Sequence, residues 1–180
     1  VQGVLPVEPS FVTEQIRSVM SDLEVGAAKT GMLATAAVIN AVVTTLKEFA
    51  EIPLVVDPVM VATSGDVLLQ ADAIDAVRHV LLPRARLVTP NLPEAARLLD
   101  EAGCKIKDKV RVCPSGEKLE FEFLMYEASF ERIIAPYVKN LQAIGVNATM
   151  RRVHRAQYQR RGKTFDFDVG TQRFVMRLTP

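Results

Sequence analysis

The run Leu54-Val55-Val56, apolar throughout and closed by Asp57-Pro58, constrains this chain more than any other feature. A strand with water on one face alternates apolar and polar residues, whereas a continuously apolar strand has both faces covered. Helical spacing lies on either side of it. Phe11, Val12, Ile16, Val19, Met20 and Leu23 recur at helical period after Pro9-Ser10, and a second apolar helix is expected over about 34–49. Short strands are expected at 27–30 and 87–89, a helix over 71–82, and a last helix opening near Pro93, a residue suited to a first turn. The order helix-strand-helix-strand-helix-strand-helix predicts a three-stranded parallel sheet with helical crossovers, an α/β fold.

Aromatic residues divide the sequence. Before residue 110 there are only Phe11 and Phe49; after it come Phe121, Phe123, Tyr126, Phe130, Tyr137, Tyr158, Phe165, Phe167 and Phe174. Such a shift signals a boundary, and the charged stretch 104–118, with its Pro114-Ser115-Gly116 turn, is the expected linker. The second part is expected to hold a strand over 119–125 and a helix over 129–144. Gly145 caps that helix, and Pro136 inside it should kink it or weaken one turn. A strand over 147–153, a short helix over 154–161 and strand-like stretches at 165–169 and 173–178 follow.

The net charge of +1 gives no global attraction to nucleic acid or membrane surfaces. No apolar run approaches the roughly 18 residues of a membrane span. The N-terminal VQGVLPVEPS lacks the basic and apolar regions of a signal peptide. Cys104 and Cys113 match no zinc or redox spacing and read as two free thiols, with a local disulfide as the minor alternative. Together these features predict a reducing, cytoplasmic setting.

In open parallel sheets, ligands bind beyond the carboxyl ends of the strands. Three polar segments fall there: Lys29-Thr30-Gly31-Met32, Asp57-Pro58-Val59-Met60, and Thr89-Pro90-Asn91-Leu92-Pro93-Glu94. Asp57 with an Asn91/Glu94 pair has the donor chemistry to hold Mg²⁺ beside phosphate. Ser64-Gly65-Asp66 offers backbone N–H groups near the same rim. In the second part, Arg151, Arg152, His154, Arg155, Arg160, Arg161 and Lys163 cluster locally, and the arginines are candidates for contact with an acidic partner. Phe165-Asp166-Phe167-Asp168 alternates as a strand would, with both carboxylates on one face.

The stretches VQGVLPVEPSFV, AAKTGMLAT, PLVVDPVMVATSGDVLL and LLPRARLVTPNLPEAARLL, spanning residues 1–103, resemble the hydroxymethylpyrimidine and phosphomethylpyrimidine kinases of thiamine biosynthesis, within the ribokinase-like fold. That resemblance implies that Met32 and Val59 line a pyrimidine pocket. It also implies that Asp57, Asn91 and Glu94 lie near nucleotide phosphates and metal. Thr63 stands where the family usually has Lys. The family's upstream Gly-rich substrate loop and its downstream Gly-Thr-Gly-Cys segment find no match, and Cys104 and Cys113 lack the Gly-Thr-Gly context. Phosphoryl transfer depends on positioning and preorganised electrostatics, so loss of catalysis is expected.

The stretches GEKLEFEFLMYEASFERIIAPYVKNLQAIGVNATMRRV, AQYQRRGKTFDFDV and TQRFVMRLTP resemble the extracellular solute-binding proteins of peptide-type ABC importers. Residues 96–103 fit both families. The expectation is therefore a chimera: a truncated ribokinase-like segment over 1–103, a seam over 104–118, and an α/β fragment of a periplasmic-binding-protein lobe over 119–180. Its expected function is non-catalytic binding of a protein partner, for example as a stoichiometric neutraliser, or self-association through open sheet edges. No cofactor is then required, and neither membrane nor nucleic acid is an expected partner. The alternative is a remnant ATP-dependent hydroxymethylpyrimidine (phosphate) kinase that keeps Mg-nucleotide binding.

Overall fold

The computed structural model describes residues 5, 7–49, 52–61, 68–69 and 71–171. Thr63, the 64–66 loop and the strand expected at 173–178 lie outside them. The chain divides into two compact units, Val1–Ala95 and Ala96–Pro180.

The first unit is α/β. Helix α1 (Pro9–Asp22) leads to β1 (Ala28–Thr30), then α2 (Ala36–Leu46), β2 (Leu54–Val56), α3 (Ala71–Ala76), β3 (Leu87–Val88) and the start of α4 (Leu92–Glu101). The three strands form a parallel sheet in the order β1-β2-β3, with Thr30 opposite Val56 and Val56 opposite Val88. Val56 is fully buried at the sheet centre, as its apolar run requires. The oxygen of Thr35 caps α2 by accepting from Val38 N at 3.3 Å. Ile39, Val42 and Val43 of that helix are buried. The helix expected over 71–82 keeps α geometry only to Ala76, then widens into a π turn over Val77–Leu81 and tightens over Leu82–Arg84.

The second unit takes up the rest of α4 and continues into a hairpin, β4 (Lys105–Lys107) paired antiparallel with β5 (Val110–Val112), within the stretch expected to be a linker. A parallel sheet in the order β7-β6-β8 follows, made of β6 (Glu120–Met125), β7 (Asn147–Arg152) and β8 (Val169–Gly170). Helix α5 (Glu131–Ala143) is the crossover from β6 to β7 and runs through Pro136 as one helix. Ile134 and Val138 on its inner face pack with Phe123, Met125 and Ala148 to form the core. Gly145 ends the segment at φ 83°, as a C-cap glycine does. The last helix, α6, spans Arg155–Lys163.

Three sequence expectations fail in this unit. Cys104 and Cys113 are bonded to each other and are not free thiols. The hairpin register explains it: Lys105 faces Val112, so the next pair outward is Cys104 with Cys113. The strand-like reading of 165–169 survives only at Val169; Phe165 sits at φ 54° and is 83% exposed. The two carboxylates of that stretch therefore do not share a strand face. Asp166 accepts from Arg161 Nε at 3.0 Å, and Asp168 accepts from Glu122 N at 2.9 Å.

Arg111, at the centre of β5, organises this unit and went unnoticed in the sequence. It is 3% exposed. Its guanidinium donates to Ile144 O at 2.5 Å, to Cys104 O at 2.8 Å and to Asp100 Oδ1 at 2.6 Å. Its own N–H donates to Gly145 O at 2.7 Å. A Cβ on Gly145 would stand 2.9 Å from both Arg111 Cγ and Ile106 Cγ1, so the glycine is required for this approach as well as for its φ.

Two tests follow from this arrangement. A buried acceptor left unpaired costs about 1–3 kcal/mol, so Arg111→Ala is expected to lower stability by ~3 kcal/mol or more in denaturant titration. The hydrogen bond from Arg111, helped by the charges of Arg111 and Lys105, holds the Asp100 carboxyl below the ordinary aspartate range. Its stabilising contribution is therefore present above about pH 3.9, the unfolded value, and is lost as pH falls through the lower folded value. Asp100→Asn is expected to remove that acid-dependent part of the melting temperature. Separately, the disulfide closes a loop of sequence separation 9, for which the chain-entropy model gives about 2–3 kcal/mol. Reduction, or Cys113→Ser, is expected to shift unfolding by that amount.

Candidate functional site

The carboxyl ends of β1, β2 and β3 bring the three polar segments of the first unit together. Asp57 N donates to Thr30 O at 3.1 Å and Thr89 N to Val56 O at 2.9 Å, which carries the parallel ladder one step beyond the strands. Lys29 Nζ lies 3.2 Å from Asp57 Oδ2, and both side chains reach solvent. Thr30 is 7% exposed, and its buried Oγ1 has no hydrogen-bond partner among the described residues. Met32 is partly exposed at the same end of the sheet.

The turn after Asp57 has an unusual backbone. Pro58 and Met60 are buried, and between them Val59 stands at φ 42°. A β-branched residue rarely occupies the left-handed region, and doing so costs on the order of 1–3 kcal/mol. Something must hold it there.

Glu94 is that anchor. It is 1% exposed. Its Oε1 accepts from Met60 N at 2.7 Å and Val61 N at 3.1 Å, and its Oε2 accepts from Asn91 N at 3.0 Å. Asn91 reciprocates: its Oδ1 accepts from Glu94 N at 3.0 Å and its Nδ2 donates to Val61 O at 2.7 Å. Asn91 and Glu94 thus form a capping box at the start of α4, with Leu92 and Pro93 between them. The same side chains also grip the loop after β2. The Asn-x-x-Glu spacing ahead of an apolar helix carried the capping signal in the sequence.

Among the described residues, the solvent-reaching carboxylate at this rim is Asp57, which shares Oδ2 with Lys29. Among the described residues no group of three or more His, Cys, Asp or Glu side chains could hold a metal. One carboxylate completed by phosphate oxygens and water suits Mg²⁺, which keeps several waters and seldom occupies an all-protein cage. Glu94 is a poor direct ligand, because it is 1% exposed and backbone N–H groups take three of its roughly four lone-pair positions.

The arginines of the second unit do not form one free patch. Arg151 Nε pairs with Glu122 at 2.7 Å, and Arg152 lies 3.9 Å from Glu131. Arg161 pairs with Asp166 at 3.0 Å and lies 3.8 Å from Glu122. Arg155 and Arg160, both exposed, make no ion pair among the described residues.

The family model for phosphomethylpyrimidine kinase matches residues 1–121. The chain belongs to that family. The hydroxymethylpyrimidine/phosphomethylpyrimidine kinase of Escherichia coli (strain K12) is 47% identical over 100 residues, covering 56% of this chain and 38% of that protein. A thiamine biosynthesis bifunctional protein of Geobacter sulfurreducens is 33% identical over 168 residues, covering 83% of this chain and 34% of its own length. The crystal structure of phosphomethylpyrimidine kinase from Clostridium difficile 630 superposes with a TM-score of 0.50 at 27% identity, over 82% of this chain and 54% of that one. The chain thus covers 38% and 34% of these two curated relatives.

This membership overturns the expectation of a non-catalytic binding protein. The match passes through the core of the first unit and on to residue 121, and each of these three relatives is a kinase or a thiamine-biosynthesis enzyme. The kinase alternative is the reading that the family supports.

Proposed function

We propose that this chain is part of an ATP-dependent hydroxymethylpyrimidine or phosphomethylpyrimidine kinase of thiamine biosynthesis, and that it supplies the rim where nucleotide and pyrimidine meet. The observation that carries this reading is the convergence of Lys29, Thr30, Asp57 and the strained Val59 turn at the carboxyl ends of one parallel sheet, in a chain of that family. Ligands of open parallel sheets bind at that end.

In this proposal Asp57 holds Mg²⁺ directly or through water, and Lys29 faces the phosphates. Bound Mg²⁺ would offset the charge that builds up on the transferring phosphoryl oxygens. Met32 and Val59 form the apolar wall for the pyrimidine ring. The unpartnered Thr30 hydroxyl is a hydrogen-bonding group available at the same end of the sheet. Asn91 and Glu94 shape the turn between these groups. A cytoplasmic setting is proposed with the same reading, on the ground of the kinase role alone, since the bonded Cys104 and Cys113 do not speak for a reducing compartment.

The resemblance of residues 96–180 to a fragment of a solute-binding protein, and hence a composite origin of the chain, is a further part of the proposal. It rests on the stretches quoted above and on the parallel β6-α5-β7 crossover. Self-association through the outer strands of the two sheets is proposed on the ground that parallel edges expose unpaired backbone groups.

Isothermal titration of the chain with Mg-ATP tests the kinase reading. A saturable heat is expected, weakened roughly 10- to 100-fold in Asp57→Ala, the loss typical of one hydrogen-bonded charged contact. No heat at millimolar nucleotide, or equal heat in the variant, would remove Asp57 from a nucleotide site.

A further inference from the structure

Asn91 and Glu94 stand where family resemblance places phosphate- and metal-binding groups, yet no polar atom of either side chain is idle. Glu94 Oε1 takes two backbone N–H groups and Oε2 a third. Asn91 Oδ1 accepts from Glu94 N, and Asn91 Nδ2 donates to Val61 O. The Glu94 carboxylate is 1% exposed, so a metal bound there would have to displace the bonds that hold Met60 and Val61.

These contacts converge on the two residues after Val59. Pinning Met60 N and Val61 N from one side and Val61 O from the other leaves Val59 little choice of backbone conformation. Its φ of 42° is the consequence. Met60 and Val61 are themselves 0% and 7% exposed, so the anchored segment is also packed.

We infer that Glu94 is a positioning residue: it ties the first turn of α4 to the loop after β2 and so sets where Val59 and Asp57 stand, without touching metal or phosphate. The inference rests on the proposed kinase reading only for what binds at the rim; the loop-holding role stands apart from it. A buried carboxylate accepts its donors in fixed directions, which makes it a better fixture for a strained turn than apolar packing alone.

The deciding experiment is amide NMR on ¹⁵N-labelled protein, first without metal and then titrated with Mg²⁺ alone. Wild type, Glu94→Gln, Asp57→Asn, Val59→Gly and the Glu94→Gln/Val59→Gly double variant are compared. Glu94→Gln keeps the shape of the side chain but sets an NH₂ group against an N–H donor. In the metal-free protein its Met60 and Val61 amides are expected to shift and to exchange about tenfold faster or more, the loss expected for a buried hydrogen bond to a charged group. Glycine tolerates a positive φ, so Val59→Gly is expected to recover much of that protection in the double variant. A general loss of stability would not be relieved at that one position.

On addition of Mg²⁺, the response at Asp57 is expected to persist in Glu94→Gln within about threefold in affinity and to vanish in Asp57→Asn, since a side chain that does not touch the metal removes no ligand from it when changed. Loss of the Mg²⁺ response in Glu94→Gln, with Met60 and Val61 undisturbed, would overturn the inference and make Glu94 a ligand. Equal unfolding of Glu94→Gln and the double variant would also overturn it, because relief at Val59 would then make no difference. If the wild type shows no response to Mg²⁺ or Mg-ATP, the kinase reading of the rim fails. The metal-free amides then still decide the role of Glu94.

Discussion

A carboxylate removed from water has to be surrounded by donors, and at Glu94 all three donors are backbone N–H groups from two separate segments. This single requirement shapes the candidate site. It ties the loop after β2 to the start of α4, and Val59, at φ 42°, stands immediately ahead of the pinned Met60 and Val61. The groups expected to meet a ligand, Asp57 and Lys29, stand immediately ahead of the pinned turn. The polar rim therefore has a rigid floor, while the ion pair on top of it remains accessible to solvent.

The second unit meets the same requirement with the opposite charge. Arg111 is nearly as buried as Glu94, and its guanidinium is ringed by carbonyls: Ile144 O just past the end of α5, Cys104 O just past α4, and the Asp100 carboxylate on α4 itself. An anion sits where helix α4 starts and its N–H groups are unpaired; a cation sits where helices end and carbonyls are unpaired. In both places a charge that would be costly inside an apolar core satisfies backbone groups that would otherwise stay open: mainly those of the loop after β2 at Glu94, and carbonyls past the ends of α4 and α5 at Arg111. Removing either side chain exposes several unpaired groups at once, which is why each stands out as a point of fragility.

The legible part of the sequence was the part written in local period. The apolar Leu54-Val55-Val56 run and the helical repeats around it led to three parallel strands with crossovers, and the β6-α5-β7 unit and its Gly145 cap were read the same way. The misread residues depend on contacts between distant positions. For Cys104 and Cys113 the disulfide was only the minor alternative, because their pairing follows from a hairpin register within a stretch whose charge suggested a linker. Arg111 went unread because no local pattern marks it for burial. Phe165 alternated with Asp166 and Phe167 as a strand would, but no neighbouring strand pairs with it among the described residues. The local arginine cluster dissolved because Glu122, Glu131 and Asp166 reach most of its members.

By itself the sequence determined the layered α/β plan, the family, and the residue types that gather at the strand ends, because burial on one or two faces writes a period into the chain. Only the tertiary structure decided what Asn91 and Glu94 do there. Their spacing fits both a helix cap and a phosphate-side pair, and the choice depends on whether a second backbone segment approaches closely enough to take up the carboxylate oxygens. Met60 and Val61 approach to 2.7 and 3.1 Å, over 30 residues away along the chain, and no local pattern encodes that distance.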